Sequence, residues 1–253
     1  MKKFTLRINN LSVAFSSTLP VLDRVSFDVA RNSFTALVGE SGSGKSVTAL
    51  SVTKLIKPYR MSGEILFDSN GQIVNLSDLT GEEMRKVRGG KIAYVFQDPG
   101  SSLNPVLTIG DQLTETYRAH FETGPADAKE RALTMLEAVR LHGIARVFKS
   151  YPHELSGGMR QRAMIAMALI SGPEILIADE PTTALDPKVE GEILELLVSL
   201  KKEKNLAILF ITHDLGLAKR YADAIVIMKN GKVVGENDDY AKRLFRAVNF
   251  DVA

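Results

Sequence analysis

Residues 33–46 read Ser-Phe-Thr-Ala-Leu-Val-Gly-Glu-Ser-Gly-Ser-Gly-Lys-Ser. An apolar, strand-like run ends at Val38, and the segment from Gly39 to Ser46 matches the pattern G-x-x-x-x-G-K-[ST] at every fixed position. Glycines suit such a loop because backbone N–H groups must approach phosphate oxygens closely, and a Cβ would obstruct that approach. The stretch therefore predicts a phosphate-binding loop between a buried strand and a helix.

The residues of this loop have distinct expected roles. Lys45 would reach the β- and γ-phosphates of a triphosphate, and the Ser46 hydroxyl would ligate Mg²⁺. The helix that follows would point its partially positive N-terminus at the phosphates. A flexible loop rich in glycine and serine is the alternative, which the order strand, loop, Lys-Ser and helix disfavours. The residues predicted to bind the nucleotide here are Gly39, Glu40, Ser41, Gly42, Ser43, Gly44, Lys45, Ser46 and Val47.

The composition bounds the class of protein. With 253 residues, the chain can form one large domain or two small ones with a sizeable core. It has no cysteine, which excludes disulfides, thiolate metal sites and cysteine nucleophiles. The formal net charge of +2 does not indicate a nucleic-acid-binding surface. We expect no export signal, and no stretch has the ~18 consecutive apolar residues of a membrane span, so work at a membrane would require a partner.

The order of patterns along the chain predicts an organisation. Alternating apolar residues over the first 30 positions predict antiparallel strands with one face on a core. Phe15 continues this pattern, and its ring is expected either to pack in the core or to stack on a purine. Asp68-Ser69-Asn70-Gly71 predicts a hairpin turn, and Ser101 to Gln112 predicts an irregular loop. From about Thr108 to Ser171 the pattern is helical.

Continuous apolar runs separated by helices predict a parallel sheet covered on both faces. One run ends at Asp179-Glu180, and another, Ala207 to Ile211, ends just before His213. Ligands of such sheets bind beyond the carboxyl ends of the strands. We therefore expect Gly39, Asp179 and His213 to converge on one site.

Four features in this order identify a family resemblance. They are the phosphate loop, Gln97 after a strand, a Leu-Ser-Gly-Gly-Met segment at 155–159, and Asp179-Glu180 followed by His213. Together they resemble the ATP-binding-cassette ATPases over essentially the whole chain. The resemblance implies an α/β phosphate-loop NTPase fold, with a RecA-like parallel-sheet core, an antiparallel β-subdomain and an inserted helical subdomain.

The same resemblance implies the domain boundaries and the cofactors. One nucleotide-binding domain would span residues 1–253, with 1–97 and 172–253 as the catalytic core and its β-subdomain. Residues from about 98 to 171 would form the helical subdomain. ATP and Mg²⁺ are the expected substrate and metal.

Catalytic roles are also implied by the family. Asp179 would hold Mg²⁺ through water, and Ser46 and Gln97 would contribute to the same ion. Glu180 would take a proton from, or orient, the attacking water. The two adjacent carboxylates need not share a face, because a strand points successive side chains in opposite directions. Gln97 would sense the γ-phosphate, and His213 would hydrogen-bond to it. The alternatives are solvated strand-end charge for the carboxylates and an ordinary histidine at position 213.

The Leu-Ser-Gly-Gly-Met segment resembles the signature sequence of the family. Its Ser-Gly-Gly precedes a predicted helix, which makes a second anion-binding terminus, although a plain helix cap is the simpler interpretation of these residues alone. The family implies that this segment contacts the ATP held by a second cassette packed head to tail, with Asp186 crossing the interface. The signature residues are Leu155, Ser156, Gly157, Gly158 and Met159.

Residues 97–110 and 151–162 are similar to the oligopeptide, dipeptide and nickel importer branch. The chain lacks the C-terminal extension and cysteines of many members, so nickel-type subunits are expected at least as readily as peptide-type ones. The implied partners are a second cassette, identical or not, two membrane permease subunits and, indirectly, an extracytoplasmic substrate-binding protein. The loop from Gln97 to about Gln112 would receive a permease helix, which places the protein peripherally on the cytoplasmic face of the inner membrane.

Two other functions stay open from the sequence. A soluble cassette ATPase could act on DNA or ribosomes, but the phosphate loop and the signature lie too close in sequence to hold a long coiled coil, and no nucleic acid is expected. A phosphate-loop kinase would leave Ser156 to Arg162 unexplained. The cargo is not determined, because the permease and the binding protein would select it.

Overall fold

The computed structural model describes residues 4–17, 19–235 and 238–243. The chain separates into two compact units, Met1–Arg85 with Ala207–Ala253, and Lys86–Leu206. A short 3-10 helix at Pro152–Glu154 accompanies the longer elements. These are β1 (Phe4–Ala14), β2 (Leu22–Ala30), β3 (Phe34–Val38), α1 (Lys45–Val52), β4 (Arg60–Ser69), β5 (Gln72–Asn75), α2 (Gly81–Val87), β6 (Ile92–Val95), α3 (Pro99–Ser102), α4 (Ile109–Arg118), α5 (Pro125–Ala138), α6 (Ile144–Lys149), α7 (Gly157–Leu169), β7 (Ile175–Asp179), α8 (Pro187–Glu203), β8 (Ala207–Thr212), α9 (Leu215–Tyr221), β9 (Ala224–Lys229) and β10 (Lys232–Val234).

The first unit contains an antiparallel sheet with the strand order β2-β1-β4-β5. The register pairs Leu6 with Phe67 and Ile8 with Ile65, and all four side chains are buried. Alternation of apolar residues places these side chains on one face, which forms a core. β4 and β5 join through the predicted turn, which includes Gly71 in the left-handed conformation. The antiparallel expectation for the first 30 residues is confirmed.

The first unit also holds parallel strands. β3 lies between β8 and β9 and pairs with both in parallel. Every residue of β3 and β8 is buried, which explains why both read as continuous apolar runs rather than as alternating ones. β10 pairs antiparallel with β9 across Asn230-Gly231, and this closes the predicted hairpin.

The second unit combines a parallel strand pair with helices. β6 pairs in parallel with β7, and Val95 lies opposite Ala178. The helices α4, α5, α6 and α7 follow one another between these two strands, as the change to a helical pattern predicts. Among the described residues, no helix is long and apolar enough to cross a membrane.

The expectation of an irregular loop over residues 101–112 is wrong at both ends. A short helix, α3, begins at Pro99, where the Asp98 side chain accepts the Gly100 N–H at 2.8 Å. α4 begins at Ile109 because the Thr108 hydroxyl accepts the Asp111 N–H at 3.1 Å. Both are ordinary helix N-caps, and the abundance of turn-forming residues between them concealed them.

Candidate functional site

The phosphate loop lies beyond the carboxyl end of β3, between that strand and α1. The last residue of β3, Val38, is the register partner of Thr212, the last residue of β8. Gly39 and His213 therefore leave the same edge of the sheet on neighbouring strands. Of the three residues expected to converge, Gly39 and His213 lie within the first unit. The His213 side chain is exposed at this edge.

The glycines of the loop are required by close approach and by backbone conformation. A Cβ on Gly39 would lie 2.3 Å from the carbonyl oxygen of Met228, and one on Gly44 would lie 2.6 Å from Leu22 Cδ2. Gly42 and Gly44 also have φ values of 79° and 102°, which glycine adopts readily and other residues do not. At Gly39 and Gly44 the loop therefore packs against β9 and β2 with no room for a Cβ.

The polar groups of the loop suit an anion. Lys45 is 5% exposed, and its Nζ donates to the carbonyls of Gly39 at 2.7 Å and Glu40 at 2.9 Å. The Ser43 hydroxyl is buried and has no hydrogen-bond partner within the described residues. A buried ammonium, an unsatisfied hydroxyl and the N-terminus of α1 together fit the phosphates of a nucleotide.

The β9–β10 hairpin and the following segment hold the loop, which sequence reasoning missed. The Gly231 N–H donates to the Ser43 carbonyl at 3.0 Å. The Tyr240 hydroxyl accepts the Glu40 N–H at 3.3 Å. The sequence predicts a turn at Asn230-Gly231, but nothing in it indicates that this turn contacts the phosphate loop.

Phe15 lies directly after β1 and is 47% exposed, whereas Val13 within the strand is fully buried. The ring is therefore not a core residue. The ring is exposed and lies in the same unit as the phosphate loop. Stacking of this ring on a purine therefore stays a prediction.

In the second unit, Asp179 ends β7 and is held by a phenol. The Tyr94 hydroxyl donates to Asp179 Oδ2 at 2.8 Å. Burial of the phenol raises the pKa of Tyr94 above its ordinary value, and the negative charge and hydrogen bond of Asp179 raise it further. Tyr94 therefore remains a protonated donor at neutral pH. Its hydrogen bond to a carboxylate was not anticipated, because nothing in a strand-like run distinguishes this tyrosine from a packing residue.

Glu180 follows with an unusual backbone conformation. Its φ is 45°, in the left-handed region that non-glycine residues rarely occupy. Its Oε2 accepts from Gln97 Nε2 at 3.4 Å and from the Thr183 hydroxyl at 3.1 Å. The structure thus brings together Gln97 and Glu180, which the sequence predicts as partners in hydrolysis. Strain of this kind is frequently found at functional sites.

The signature segment begins α7. The Ser156 hydroxyl accepts the Met159 N–H at 3.3 Å, so the simple helix cap is present. A Cβ on Gly158 would lie 2.7 Å from Val189 Cγ1, which gives this glycine a packing role that sequence reasoning missed. Ser156 and Gly157 are exposed and Leu155 is buried.

Asp186 has a structural role in this unit. It caps α8, because its carboxylate accepts the Val189 N–H at 3.1 Å. The starts of α7 and α8 meet where Val189 lies beside Gly158. This capping contact is made within the chain and does not depend on a second cassette.

Comparison with known proteins adds to this geometry. The family model described as ABC transporter matches residues 22–183, more than half of the chain. The chain belongs to the ABC transporter family. A second model, described as an AAA domain, putative AbiEii toxin, Type IV TA system, matches residues 148–219.

The relatives of the cassette have transport names. A peptidoglycan transport ATP-binding protein of Agrobacterium fabrum is 48% identical over 236 residues, covering 90% of this chain and 42% of that protein. A probable peptide ABC transporter ATP-binding protein of Sinorhizobium fredii is 47% identical, covering 86% of this chain and 65% of its own length. An oligopeptide transport ATP-binding protein of Bacillus subtilis is 43% identical, with 90% and 70% covered. The chain thus spans less than two thirds of the first two relatives.

Solved structures confirm the predicted cassette fold. A dimeric ATP-binding cassette in a post-hydrolysis state, bound to ADP and Pi, has a TM-score of 0.78 at 30% identity, covering 91% of this chain and 97% of that one. A Clostridium perfringens protein, part of an ABC transporter complex, has a TM-score of 0.81 at 27% identity, with 99% and 96% covered.

We predict that Gly39→Ala destabilises the cassette by about 1–3 kcal/mol, because the new Cβ must displace the Met228 carbonyl, which belongs to the backbone. Thermal unfolding followed by circular dichroism measures the effect. Gly81→Ala is the matched control, since a Cβ there meets nothing within 4 Å. Equal unfolding midpoints for the two variants would contradict the packing of the loop described above.

Proposed function

We propose that this cassette is the ATP-binding and ATP-hydrolysing subunit of an ABC importer, driving transport of a small solute through a membrane permease. The observation that carries the proposal is the phosphate loop with its buried Lys45, in a chain of the ABC transporter family. The transport names of the relatives support an importer for a peptide, and a nickel or other metal complex remains the alternative cargo. No observation favours a cassette that acts on nucleic acid.

ATP binding is assigned to the first unit. Lys45 and the amides of residues 39–47 are proposed to hold the phosphates, and Phe15 is proposed to stack on the adenine. The Lys45 ammonium is buried and donates to the carbonyl groups of Gly39 and Glu40, so its charge lies within the loop that would receive the phosphates. This arrangement preorganises positive charge for a triphosphate.

Magnesium is assigned to one carboxylate and two neutral groups. Asp179, Ser46 and Gln97 are proposed to hold the ion. Such a sparse protein ligand set fits Mg²⁺, which keeps several waters and binds the substrate phosphates. The bound ion would neutralise charge that develops on the phosphates.

Hydrolysis is assigned to Glu180 with Gln97 and His213. Glu180 is proposed to orient or deprotonate the attacking water, and His213 to hydrogen-bond to the γ-phosphate. The contact between Gln97 and Glu180 supports a coupled pair, in which the amide keeps the carboxylate in place until substrate binds.

The signature residues 155–159 and Asp186 are assigned to a partner cassette, identical or different. Exposure of Ser156 and Gly157 at the start of α7 supports this, because their backbone N–H groups can reach an anion from outside the chain. Two cassettes that share a polyanion associate while it is bound and separate when its terminal phosphate is lost. This cycle would drive the permease.

The remaining assignments concern organisation. We propose one nucleotide-binding domain, with residues 1–97 and 172–253 as core and about 98–171 as the helical subdomain. The side chain of Val106, which is 75% exposed, supports a permease-binding surface between Gln97 and Gln112. Two permease subunits and, indirectly, an extracytoplasmic binding protein complete the proposed importer at the cytoplasmic face of the inner membrane.

Glu180→Gln is expected to keep nucleotide affinity, accumulate as an ATP-bound dimer and lower the hydrolysis rate by at least about 100-fold, because an amide cannot accept a proton from water. Phosphate release and size-exclusion chromatography with ATP measure the two effects. Glu195→Gln, at an exposed position of α8, is the control. Normal turnover in Glu180→Gln would remove Glu180 from the catalytic role.

Phe15→Ala should weaken ATP binding by about 5- to 160-fold, since stacking of an aromatic ring on a base contributes roughly 1–3 kcal/mol. Titration with a fluorescent nucleotide measures the dissociation constant. Leu19→Ala removes a nearby side chain that is 79% exposed and should have no effect. Unchanged affinity in Phe15→Ala would leave the ring without a role in nucleotide binding.

Purification of the tagged chain from detergent-solubilised membranes is expected to recover an integral membrane protein in stoichiometric amount. Replacing Val106 by Asp should abolish the recovery, because a charge would be buried in the proposed permease surface. Ile73→Asp, on the exposed face of β5, is the matched control. Recovery of nucleic acid in place of a membrane protein would refute the importer.

A further inference from the structure

The hydrogen bond from Tyr94 to Asp179 follows from the parallel pairing of β6 with β7. Tyr94 lies opposite Ile177, and Asp179 is two residues further along the same strand. Side chains two residues apart in a strand share a face, so Tyr94 and Asp179 are diagonal neighbours. The 2.8 Å distance between the phenol oxygen and Oδ2 is that of a well-formed hydrogen bond to a carboxylate.

The phenol is held in place from the side. The ring of Phe96 lies with its centroid 4.5 Å from that of Tyr94 and is tilted by 36°. Aromatic pairs at this separation are attractive and restrict the rotation of both rings. The Tyr94 hydroxyl therefore reaches Asp179 from a ring that packing has already oriented.

The bond orients the carboxylate through one of its acceptor positions. An ionised carboxylate has about four acceptor positions, and one phenol donor uses one of them. Restricting Asp179 to one rotamer before a ligand arrives removes an entropic cost of binding. A phenylalanine at position 94 would fill nearly the same space but could not donate to Asp179. The effect of the hydroxyl can therefore be tested separately from packing.

We infer that Tyr94 is a positioning residue that holds the Asp179 carboxylate in the orientation in which it binds Mg²⁺ with the nucleotide. The inference rests on the proposed function, because that function assigns Asp179 to the metal. Carboxylate ligands are commonly oriented by hydrogen bonds from a second layer of residues, and loss of such a bond typically lowers metal affinity by about 10- to 100-fold. Tyr94 acts through Asp179 and does not itself contact substrate.

The test compares ATP affinity with Mg²⁺ and with EDTA, in the full chain carrying Glu180→Gln so that no turnover occurs. Tyr94→Phe is expected to lower the ratio of the two association constants by about 10-fold while leaving the affinity in EDTA unchanged. Tyr117 lies on α4 and its ring pairs with that of Phe121, so Tyr117→Phe controls for the loss of a hydroxyl in the same unit. Isothermal titration calorimetry gives both constants without relying on hydrolysis.

Each other outcome is decisive. An unchanged ratio, or a ratio that rises, would overturn the positioning role, and an equal loss of affinity in both conditions would show that the hydroxyl only stabilises the fold. Asp179→Asn distinguishes the role of Tyr94 from the assignment of Asp179 to Mg²⁺. If Asp179→Asn abolishes the effect of Mg²⁺ while Tyr94→Phe leaves the ratio unchanged, only the inference fails. If Asp179→Asn also leaves the effect of Mg²⁺ intact, the assignment of Asp179 in the proposed function fails.

Discussion

Close contact between the phosphate loop and the β9–β10 hairpin is the constraint on which the first unit depends. A Cβ on Gly39 would lie 2.3 Å from the Met228 carbonyl, and Gly231 donates its N–H to the Ser43 carbonyl. The loop therefore takes its shape from a backbone surface as well as from its own glycines. Parallel pairing of β3 with β9 brings that surface into place, so the binding loop depends on a long-range strand contact.

The two units contribute opposite charges to the proposed chemistry. In the first, Lys45 is buried, and the cost of removing its charge from water is offset by two carbonyl groups. In the second, Asp179 and Glu180 are held by hydroxyl and amide donors, among them Tyr94 and Gln97. Cations that hold phosphates and carboxylates that hold metal and water form the minimal set for phosphoryl transfer.

Several features were predictable because their signals are local. The buried strands β3, β7 and β8 follow from uninterrupted apolar runs, and the cap at Ser156 follows from its position before a helical pattern. Only the two ends of the loop predicted over residues 101–112 were wrong, because turn-forming residues also serve as helix caps, and only geometry distinguishes the two uses. The packing of Gly158 against Val189 joins two helices, and the sequence of neither helix alone predicts this contact.

By itself, the sequence determined the family and the order of the main strands and helices, and it supplied the proposal for the phosphate loop and for the residues of the chemistry. These features depend on periodicity and on motifs whose members are adjacent in the chain. The tertiary structure alone decided which distant groups touch: Met228 beside Gly39, Tyr240 on Glu40 and Tyr94 on Asp179. The physical reason is that these contacts join segments far apart in the chain: strand pairing brings Met228 beside Gly39 and Tyr94 beside Asp179, and the chain beyond β10 brings Tyr240 to Glu40. Pairing and register are properties of two segments that no single segment encodes.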